Sequence, residues 1–578
     1  MAISKIVLNG TTQMDITDTT AQSEDVAQGV YFYGADGVKR EGSMAEGGAS
    51  TTSDKVVHFI DYDGTALYDY SKDEWTNVTS LPAVPSHQGL VSQGWNWTKA
   101  QIDSYLADYP SGDVFVGVTY TTDTGHTRIS IHLDEQYKSP MLGININGSV
   151  DIDWGDGSSH TTLTGTSLDT IKWSSAHNYR SDGDYVIKLA ISGKAVIGSD
   201  GTYGTILRYS NDTNSLNARY LACITSIELG DNIESIGDRA FSNCIRLQSI
   251  TIPNSVASIG AYAFNYCHSL EGMVVPDDVP SIRDYTFYYC RKFENISIPS
   301  SISGTIGNWA FGECSSLKNI TIPLGVTNIG ISAFAFCKEL KQIVIPDGVT
   351  NIGKAAFNGC NTIKKISIPD SISGVIGDYT FQNCYDLESS ITFPNGVTKL
   401  GDSVFINCWK LKNVSVPNSV ERIGANAFQD CKSLESFVIP PGTKVGAYVF
   451  EGCKSLKSVT IPDGHDNIQT YMFQGCTNLE NIVLPNSITS VGEAAFMSCH
   501  RLKSITIPSN VPSLLANVFA NCKILKSIHF KPLTPPKITN STFLNLTVDL
   551  IIYVPAESLE AYKTAQYWSS VADKIVGE

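Results

Sequence analysis

The chain has 578 residues, with 41 Lys and Arg against 57 Asp and Glu and a formal net charge of −16. That balance argues against nucleic acid or an anionic membrane surface as partner, because both ask for a positive footprint. No stretch of about 18 apolar residues occurs, so no membrane insertion is expected. The first ten residues hold one Lys and only a brief apolar run. That is too short for a secretory signal, so synthesis and maturation in a cytoplasm are expected.

Residues 1–50 are rich in Thr and Gly and have no core of their own, which on composition reads as a flexible leader. Tyr31-Phe32-Tyr33-Gly34-Ala35-Asp36-Gly37, followed by Glu41-Gly42, is similar to N-terminal segments of tailed-phage structural proteins. That resemblance implies an attachment module contacting other virion structural proteins. Gly47 to Ser53 is then a linker. Residues 51–112 are expected to form a small α+β module. Val56 to Ile60 is an apolar strand, and Asp61-Tyr62-Asp63-Gly64-Thr65 after it resembles the opening motif of haloacid-dehalogenase-type phosphatases. Their chemistry needs a parallel sheet, a downstream Lys and Mg²⁺. Ala66 to Ser71 reads instead as the return strand of a hairpin with Asp-Gly as turn signal, so no enzyme is expected. Gly94-Trp95-Asn96-Trp97 leads into a short helix docked by its Trp rings, which could also bind a sugar.

Residues 113–200 alternate apolar and polar along Val114–Tyr120, Thr127–Leu133, Ile144–Asn147 and Val150–Asp153, which predicts strands. Asp153-Trp154-Gly155-Asp156-Gly157, then His177-Asn178-Tyr179, then Gly183-Asp184-Tyr185 resemble a PKD-type β-sandwich domain. The resemblance implies that Trp154 and Tyr185 pack its core and that Asp156-Gly157 makes a tight turn. Asp151, Asp153 and Asp156 offer oxygens for a Ca²⁺, the one cofactor suggested, although calcium sites usually recruit more ligands than this loop supplies. A sandwich here would also shield the first coil of a repeat array that begins near residue 201.

From Tyr220 to Val554 one sentence repeats: Phe, Cys three residues later, Leu, Ile-x-Ile-Pro, then Ile-Gly. Phe311-Cys314-Leu317-Ile320-Ile322-Pro323 is one copy, and the period is near 23 residues, the signature of a solenoid over 201–555. Ile320 and Ile322 alternate with Thr321, predicting a short strand with Ile inside, which Pro323 ends for want of an N–H. Trp309-Ala310-Phe311 is expected to start a helical turn that drops Phe and Cys inside. Stacked at roughly 4.8 Å per coil, about fourteen coils span some 65–70 Å. All fourteen Cys lie in this array and no Cys-x-x-Cys pair occurs. Disulfides would need partners chosen within a uniform ladder, so the thiols read as small core hydrophobes. The pattern Cys-x-x-Leu-x-x-Ile-x-Ile-Pro…Ile-Gly-x-x-Ala-Phe resembles the BspA-type (treponemal) leucine-rich repeat family. That family implies binding and adhesion on bacterial surfaces, in some parasites and in phage proteins, and no catalytic residues.

Leu559, Tyr562, Trp568, Val571 and Ile575 recur at helical spacing, so residues 556–578 are expected to be a helix capping the last coil. The fold class is therefore mainly β with short helices: N-terminal β modules including a PKD-like β-sandwich, then a long leucine-rich-repeat solenoid with a C-terminal capping helix. No metal-binding His pair, nucleophile elbow or phosphate loop is present. The outward strand positions, from Thr251 to Thr506, are small and uncharged. Tyr262, Tyr266, Tyr285, Tyr288, Tyr289, Trp309 and Phe336 fall at non-core letters of successive coils, where they either pack coil on coil or form a ligand-binding surface. Three functions are weighed. The main reading is a non-enzymatic phage virion protein that binds a glycan or protein on the bacterial host. The alternatives are a bacterial cell-surface adhesin and a capsid or tail decoration protein. Homo-oligomers are compatible with all three.

Overall fold

The computed structural model describes residues 221–578 without a break, residues 205–208, 139–198, 126–134 and 66–84, and shorter pieces of the first 122 residues. In residues 1–50 four strands pair antiparallel in the order β2-β1-β3-β4: β1 (Lys5–Leu8), β2 (Thr12–Asp15), β3 (Val30–Tyr33) and β4 (Lys39–Glu41). The phage-like residues 31–42 cover β3, β4 and positions outside the described residues.

A second sheet has the order β6-β5-β8-β7, from β5 (Lys55–Ile60), β6 (Ala66–Ser71), β7 (Leu90–Trp95) and β8 (Val114–Thr122). The β5–β6 hairpin is present, and β5 also runs parallel to β8. Asp61 and Asp63 lie outside the described residues. Trp75 is a ring that docks this module. Trp75 sits in helix α1 (Lys72–Thr76), opened by a Ser71–Glu74 capping box, and is buried with Val57, Phe59, Ile102 and Val116. Its indole N–H donates to Asp103 at 2.7 Å. Trp95 ends β7, and Trp97 lies outside the described residues. Residues 114–122 pair within this sheet, so their backbone belongs with the module before them.

The next unit is built on β9 (Thr127–Leu133), β10 (Met141–Asp153), β11 (Thr161–Trp173) and β12 (Gly183–Ile197), in one antiparallel sheet ordered β11-β10-β12-β9. Gly165, Gly148 and Gly193 stand side by side across three of these strands. Gly148 (φ 135°) and Gly193 (φ 107°) lie where a side chain is strained, and a Cβ on Gly148 would meet the Ser192 carbonyl at 2.0 Å. Such a glycine row marks a bend in the sheet. On one side of it β10 is buried on both faces, from Leu142 to Ile146, and beyond it burial alternates.

This sheet runs directly into the solenoid. The strands β14 (Ile224–Glu228) and β16 (Ser249–Thr251) continue it beyond β9, and the end of β12 pairs in parallel with β15 (Ile233–Ile236). Both ladders of the first coil are thereby covered, so neither begins as an open edge. Successive coils then add short strands or single bridges to two ladders, as in Gln342–Val344 with Lys365–Ser367, and Val326–Ile329 with Asn351–Ile352.

Between the ladders there is no helical turn. The residues two before and two after a spine Phe hold positive φ in every coil from Phe241 to Phe519, as at Tyr262 (59°) and Tyr266 (59°) around Phe264. Apart from Tyr567, every non-Gly residue with positive φ among the described residues occupies one of these two places. The consequence is an alternating backbone. The N–H groups of Tyr262, Phe264 and Tyr266 donate along the axis to the next coil (Asp284, Thr286 and Tyr288 carbonyls, 3.0, 2.9 and 2.7 Å). Those of Asn265 and Cys267 close turns within their own coil. A right-handed helix would direct all of them along one chain and leave nothing for the neighbour.

Inside, the Phe rings form one continuous stack from Phe241 to Phe543, with centroids 5.1 to 6.3 Å apart and planes within 22°. All fourteen thiols are free and buried. They do more than fill space: the Cys360 S–H donates to the Phe334 carbonyl of the preceding coil at 3.1 Å, and the same contact recurs from Cys267 to Cys522. Burial pushes the thiols up, to about 12 at Cys360 and Cys522.

The C-terminal cap is not a single helix. A short helix α2 (Leu559–Thr564) is followed by a 3₁₀ segment, Trp568–Lys574, and by a strand, Ile575–Gly577, that pairs in parallel with Ile551–Val554. The chain breaks at Tyr567 (φ 66°), which lets Trp568 turn inward. Trp568 is fully buried, meets Phe543 edge-on at 5.7 Å and donates its indole N–H to the Pro536 carbonyl at 2.8 Å, ending the ring stack.

Phe357→Ala should therefore lower stability by about 3–5 kcal/mol, by opening a cavity and breaking the stack. Cys360→Ala should cost only about 1 kcal/mol, the worth of one ordinary hydrogen bond. Denaturant unfolding of the two variants checks the ranking, and equal losses would show that the S–H bond, not the ring, dominates.

Candidate binding surface

Six of the seven aromatic residues singled out by spacing come together on three successive coils. Tyr262, Tyr285 and Trp309 each stand two residues before a spine Phe and form one column, with Tyr262 on Tyr285 at 4.6 Å and 4°, and Tyr285 on Trp309 at 6.4 Å and 12°. Tyr266 and Tyr289, two residues after it, form a second column at 4.9 Å and 20°. Tyr288 fills the space between the columns, edge-on to Tyr266 (5.6 Å), Tyr285 (5.4 Å) and Trp309 (5.4 Å). All six are half-buried. Phe336 stands apart, one coil further on, and lies over Gly359, where a Cβ would come within 2.6 Å of the ring.

The five column residues are bulky side chains held at φ between 54° and 63°. Such a conformation costs an L residue roughly 1–2 kcal/mol. Stacking returns about 0.5–1.5 kcal/mol per pair beyond the area each ring buries, which offsets that cost. Other coils fill the same two places with residues that accept left-handed backbone at lower cost, including Asn243, Gly359, Asn383, Asn426 and Asn521, and those coils stack equally well. Coil packing by itself does not call for Tyr or Trp there.

The surroundings carry both signs, with Asp284 acting on Tyr285 and Glu313 on Tyr288 beside two arginines. The Arg239 guanidinium lies 4.8 Å over Tyr262 and that of Arg291 4.9 Å over Tyr289. Burial, then the charge of Arg291, pushes His268 down and keeps it neutral. His268 Nε2 and Asn265 Oδ1 are buried beside the columns without a hydrogen-bond partner. Burial, reinforced by the neighbouring Tyr266 and Tyr289, pushes the Tyr288 phenol up to about 12. Spacing did not single out a second exposed step, Tyr385 on Trp409 at 4.3 Å with Lys432 3.9 Å above the indole, nor the stacked pair Tyr448–Tyr471 at 4.8 Å.

The three Asp residues considered for Ca²⁺ do not converge. Asp151 is engaged by His160 (2.6 Å), Asp153 by the Gly155 N–H (2.9 Å), and Asp156 by His177 (2.9 Å) and the Ser158 N–H (3.0 Å). Lys188 also approaches Asp153 at 3.9 Å. Among the described residues no group of three His, Cys, Asp or Glu side chains could hold a metal ion. These donors suit a hydrogen-bonded turn better than a calcium site: His177 stacks on the buried Trp154 at 4.5 Å, and the Tyr179 hydroxyl donates to the Trp154 carbonyl at 2.8 Å. Tyr185 is only half-buried and shares its hydroxyl with Ser181.

Two parallel ladders and a Phe spine stacked coil on coil define a leucine-rich-repeat solenoid. The profile of the BspA type leucine rich repeat region matches this chain in six copies, over residues 217–338, 304–435 and 421–549. The chain belongs to that family. Among solved structures, a leucine-rich repeat protein from Bacteroides ovatus is 28% identical over 61% of this chain and 94% of its own, with a TM-score of 0.47. A leucine rich cell surface protein from Faecalibacterium prausnitzii is 26% identical over 59% of this chain and 94% of its own, with a TM-score of 0.38. No curated protein matches the chain.

The Asp156 turn predicts an acid limit. Burial disfavours its charged form, but hydrogen bonds from Ser158 and His177 outweigh this and hold the carboxyl at about 2, against 3.8 for a free one. A depressed folded-state pKa means stability that is complete above 3.8 and is lost as pH falls towards 2. Asp156→Asn should remove that share of the acid-induced fall, read by thermal unfolding of the full chain across that window. An unchanged slope would show that the turn contributes nothing.

Proposed function

We propose that this chain is a non-enzymatic binding protein of adhesin type that works at a bacterial cell surface. The aromatic face on the coils of Phe264, Phe287 and Phe311 is its contact for a surface glycan or protein. Membership in a repeat family of binding proteins supports this reading over catalysis. The virion reading rested on residues 31–42 and on where the chain begins. Neither the family nor the described residues add support to it, and the family favours the surface adhesin.

The observation that carries the proposal is the left-handed backbone beneath five large rings. Residues held in a costly conformation that packing does not demand mark a surface kept for a partner. Rings stacked on one another leave edges and hydroxyls outward, flanked by Arg239 and Arg291. Such a surface suits a partner that offers both apolar faces and hydrogen-bonding groups, as sugars and polar protein surfaces do.

Binding and packing separate experimentally, because Asn accepts the left-handed backbone better than Tyr. A variant carrying Tyr262→Asn, Tyr266→Asn, Tyr285→Asn and Tyr289→Asn should melt at or above the parent temperature. It should lose binding to a panel of bacterial and animal cells, with each true anchor contributing about 2 kcal/mol or more. A variant that melts lower and binds as well as the parent would assign the rings to coil packing and overturn the proposal.

A further inference from the structure

The net charge of −16 hides a strong polarity around the solenoid. In each coil the five residues after the Cys form the edge leading into the first strand ladder. The thirteen such segments after Cys244 to Cys522 carry seventeen Lys and Arg against seven Asp and Glu, while the rest of the chain has 24 against 50. Fourteen of the seventeen are Lys. Fifteen are exposed, Lys318 and Lys432 being the partly covered ones.

The backbone places these residues in register. In most coils the fourth residue after the Cys donates its N–H to the carbonyl of its counterpart one coil back, as in Lys341 to Lys318 (3.4 Å), Lys364 to Lys341 (2.8 Å) and Lys526 to Lys503 (2.9 Å). Along much of the edge a carboxylate answers a lysine across coils: Glu294 with Lys318, Asp386 with Lys410, Glu435 with Lys457 and Glu480 with Lys503. In the middle that alternation stops. Lys318, Lys341 and Lys364 succeed one another directly, with Lys338 and Lys365 beside them, and none of the last four forms an ion pair with a described residue. Like charges directly opposite each other on neighbouring strands destabilise a sheet. A run of uncompensated lysines is therefore a local cost that folding does not require.

We propose that this ridge binds a linear acidic polysaccharide, carboxylated or sulfated, laid along the solenoid axis. The rungs repeat at about 4.8 Å, so a flexible chain bearing an anion on successive sugar units can meet successive lysines. Lysine is a mobile point charge, without the planar fork that reads phosphate or base edges, and it tolerates irregularly placed anions. The exposed Trp409, between Tyr385 and Lys432 on the same edge, adds a flat apolar surface of the kind sugar rings stack on. A rigid duplex, whose phosphates wind around an axis, would meet a single straight row at few points. The unpaired lysines begin at Lys338, a coil beyond Trp309, so they can be varied without touching the aromatic face.

The test uses the full chain with dextran sulfate and polygalacturonate as probes, neutral dextran as control, and a single-stranded oligothymidylate and phosphatidylserine vesicles as competing anions. Binding to both acidic polysaccharides is expected, weakening steeply with added salt as counterion release requires. Combined Lys338→Glu, Lys341→Glu, Lys364→Glu and Lys365→Glu should weaken it roughly tenfold or more and flatten the salt dependence. Lys399→Glu with Lys444→Glu, away from this edge, should change neither. Lys341→Gln with Lys364→Gln, which relieves repulsion and should not lower the melting temperature, should give a smaller loss in the same direction. The Tyr→Asn variant should keep polysaccharide binding, so failure of the ridge and failure of the aromatic face read separately. Neutral dextran bound as well as the acidic polymers would overturn the proposal. So would equal loss in the control variant, or tighter binding of the oligothymidylate or the vesicles.

Discussion

The solenoid depends on the pair of left-handed residues that flank each spine Phe. Reversing the backbone hand twice within five residues aims every second N–H along the axis, where the neighbouring coil supplies a carbonyl. The same reversal keeps Phe and Cys pointing inward without a helix to carry them. With the strands added, each coil is tied to the next at three places on its circumference, and Phe stacking and the S–H contacts complete the tie inside. No coil is stable alone, because nearly all of these bonds are between coils rather than within one.

An array of this kind needs both ends closed, and the two ends are closed differently. At the start, strand β9 pairs antiparallel with β14 while the end of β12 pairs in parallel with β15, so one folded sheet covers both ladders. At the finish, a strand is added to one ladder and Trp568 is placed over the last rings. Both devices meet the same two requirements, an apolar layer to cover and a row of backbone groups to pair.

The circumference is free to vary once those constraints are met, and function is written there. At the left-handed positions many coils use Asn, Gly, Ser or Ala, while Tyr and Trp gather on the coils of the aromatic face and Tyr recurs at Tyr379, Tyr448 and Tyr471. After the Cys, most coils balance lysine with carboxylate across one rung, and the middle coils do not. In both places the departure from the easiest residue is the ground on which a contact surface is proposed. A whole-chain net charge cannot report the second departure, because it averages a basic edge with an acidic remainder.

The repeat period alone determined the solenoid, the inward Phe, Ile and Cys, the strand ended by Pro and the location of both caps, because burial on a fixed period depends only on which letters recur. The aromatic residues of successive coils were likewise legible as neighbours. Backbone hand was not read, although Asn or Gly two residues after Phe in coils such as Asn243, Gly359, Asn407 and Gly475 was a usable signal for it. Only the tertiary structure decided that the turn is a left-handed ladder rather than a helix, that Cys is a donor as well as a filler, and that the last residues form a helix and a strand. It also decided that Trp75 docks the second module, and that Asp151 and Asp153 lie about His160 while Asp156 is held by His177 and Ser158. Most of these turn on a partner in the next coil or a distant strand, and local spacing carries no information about where such a partner places its carbonyl or its charge.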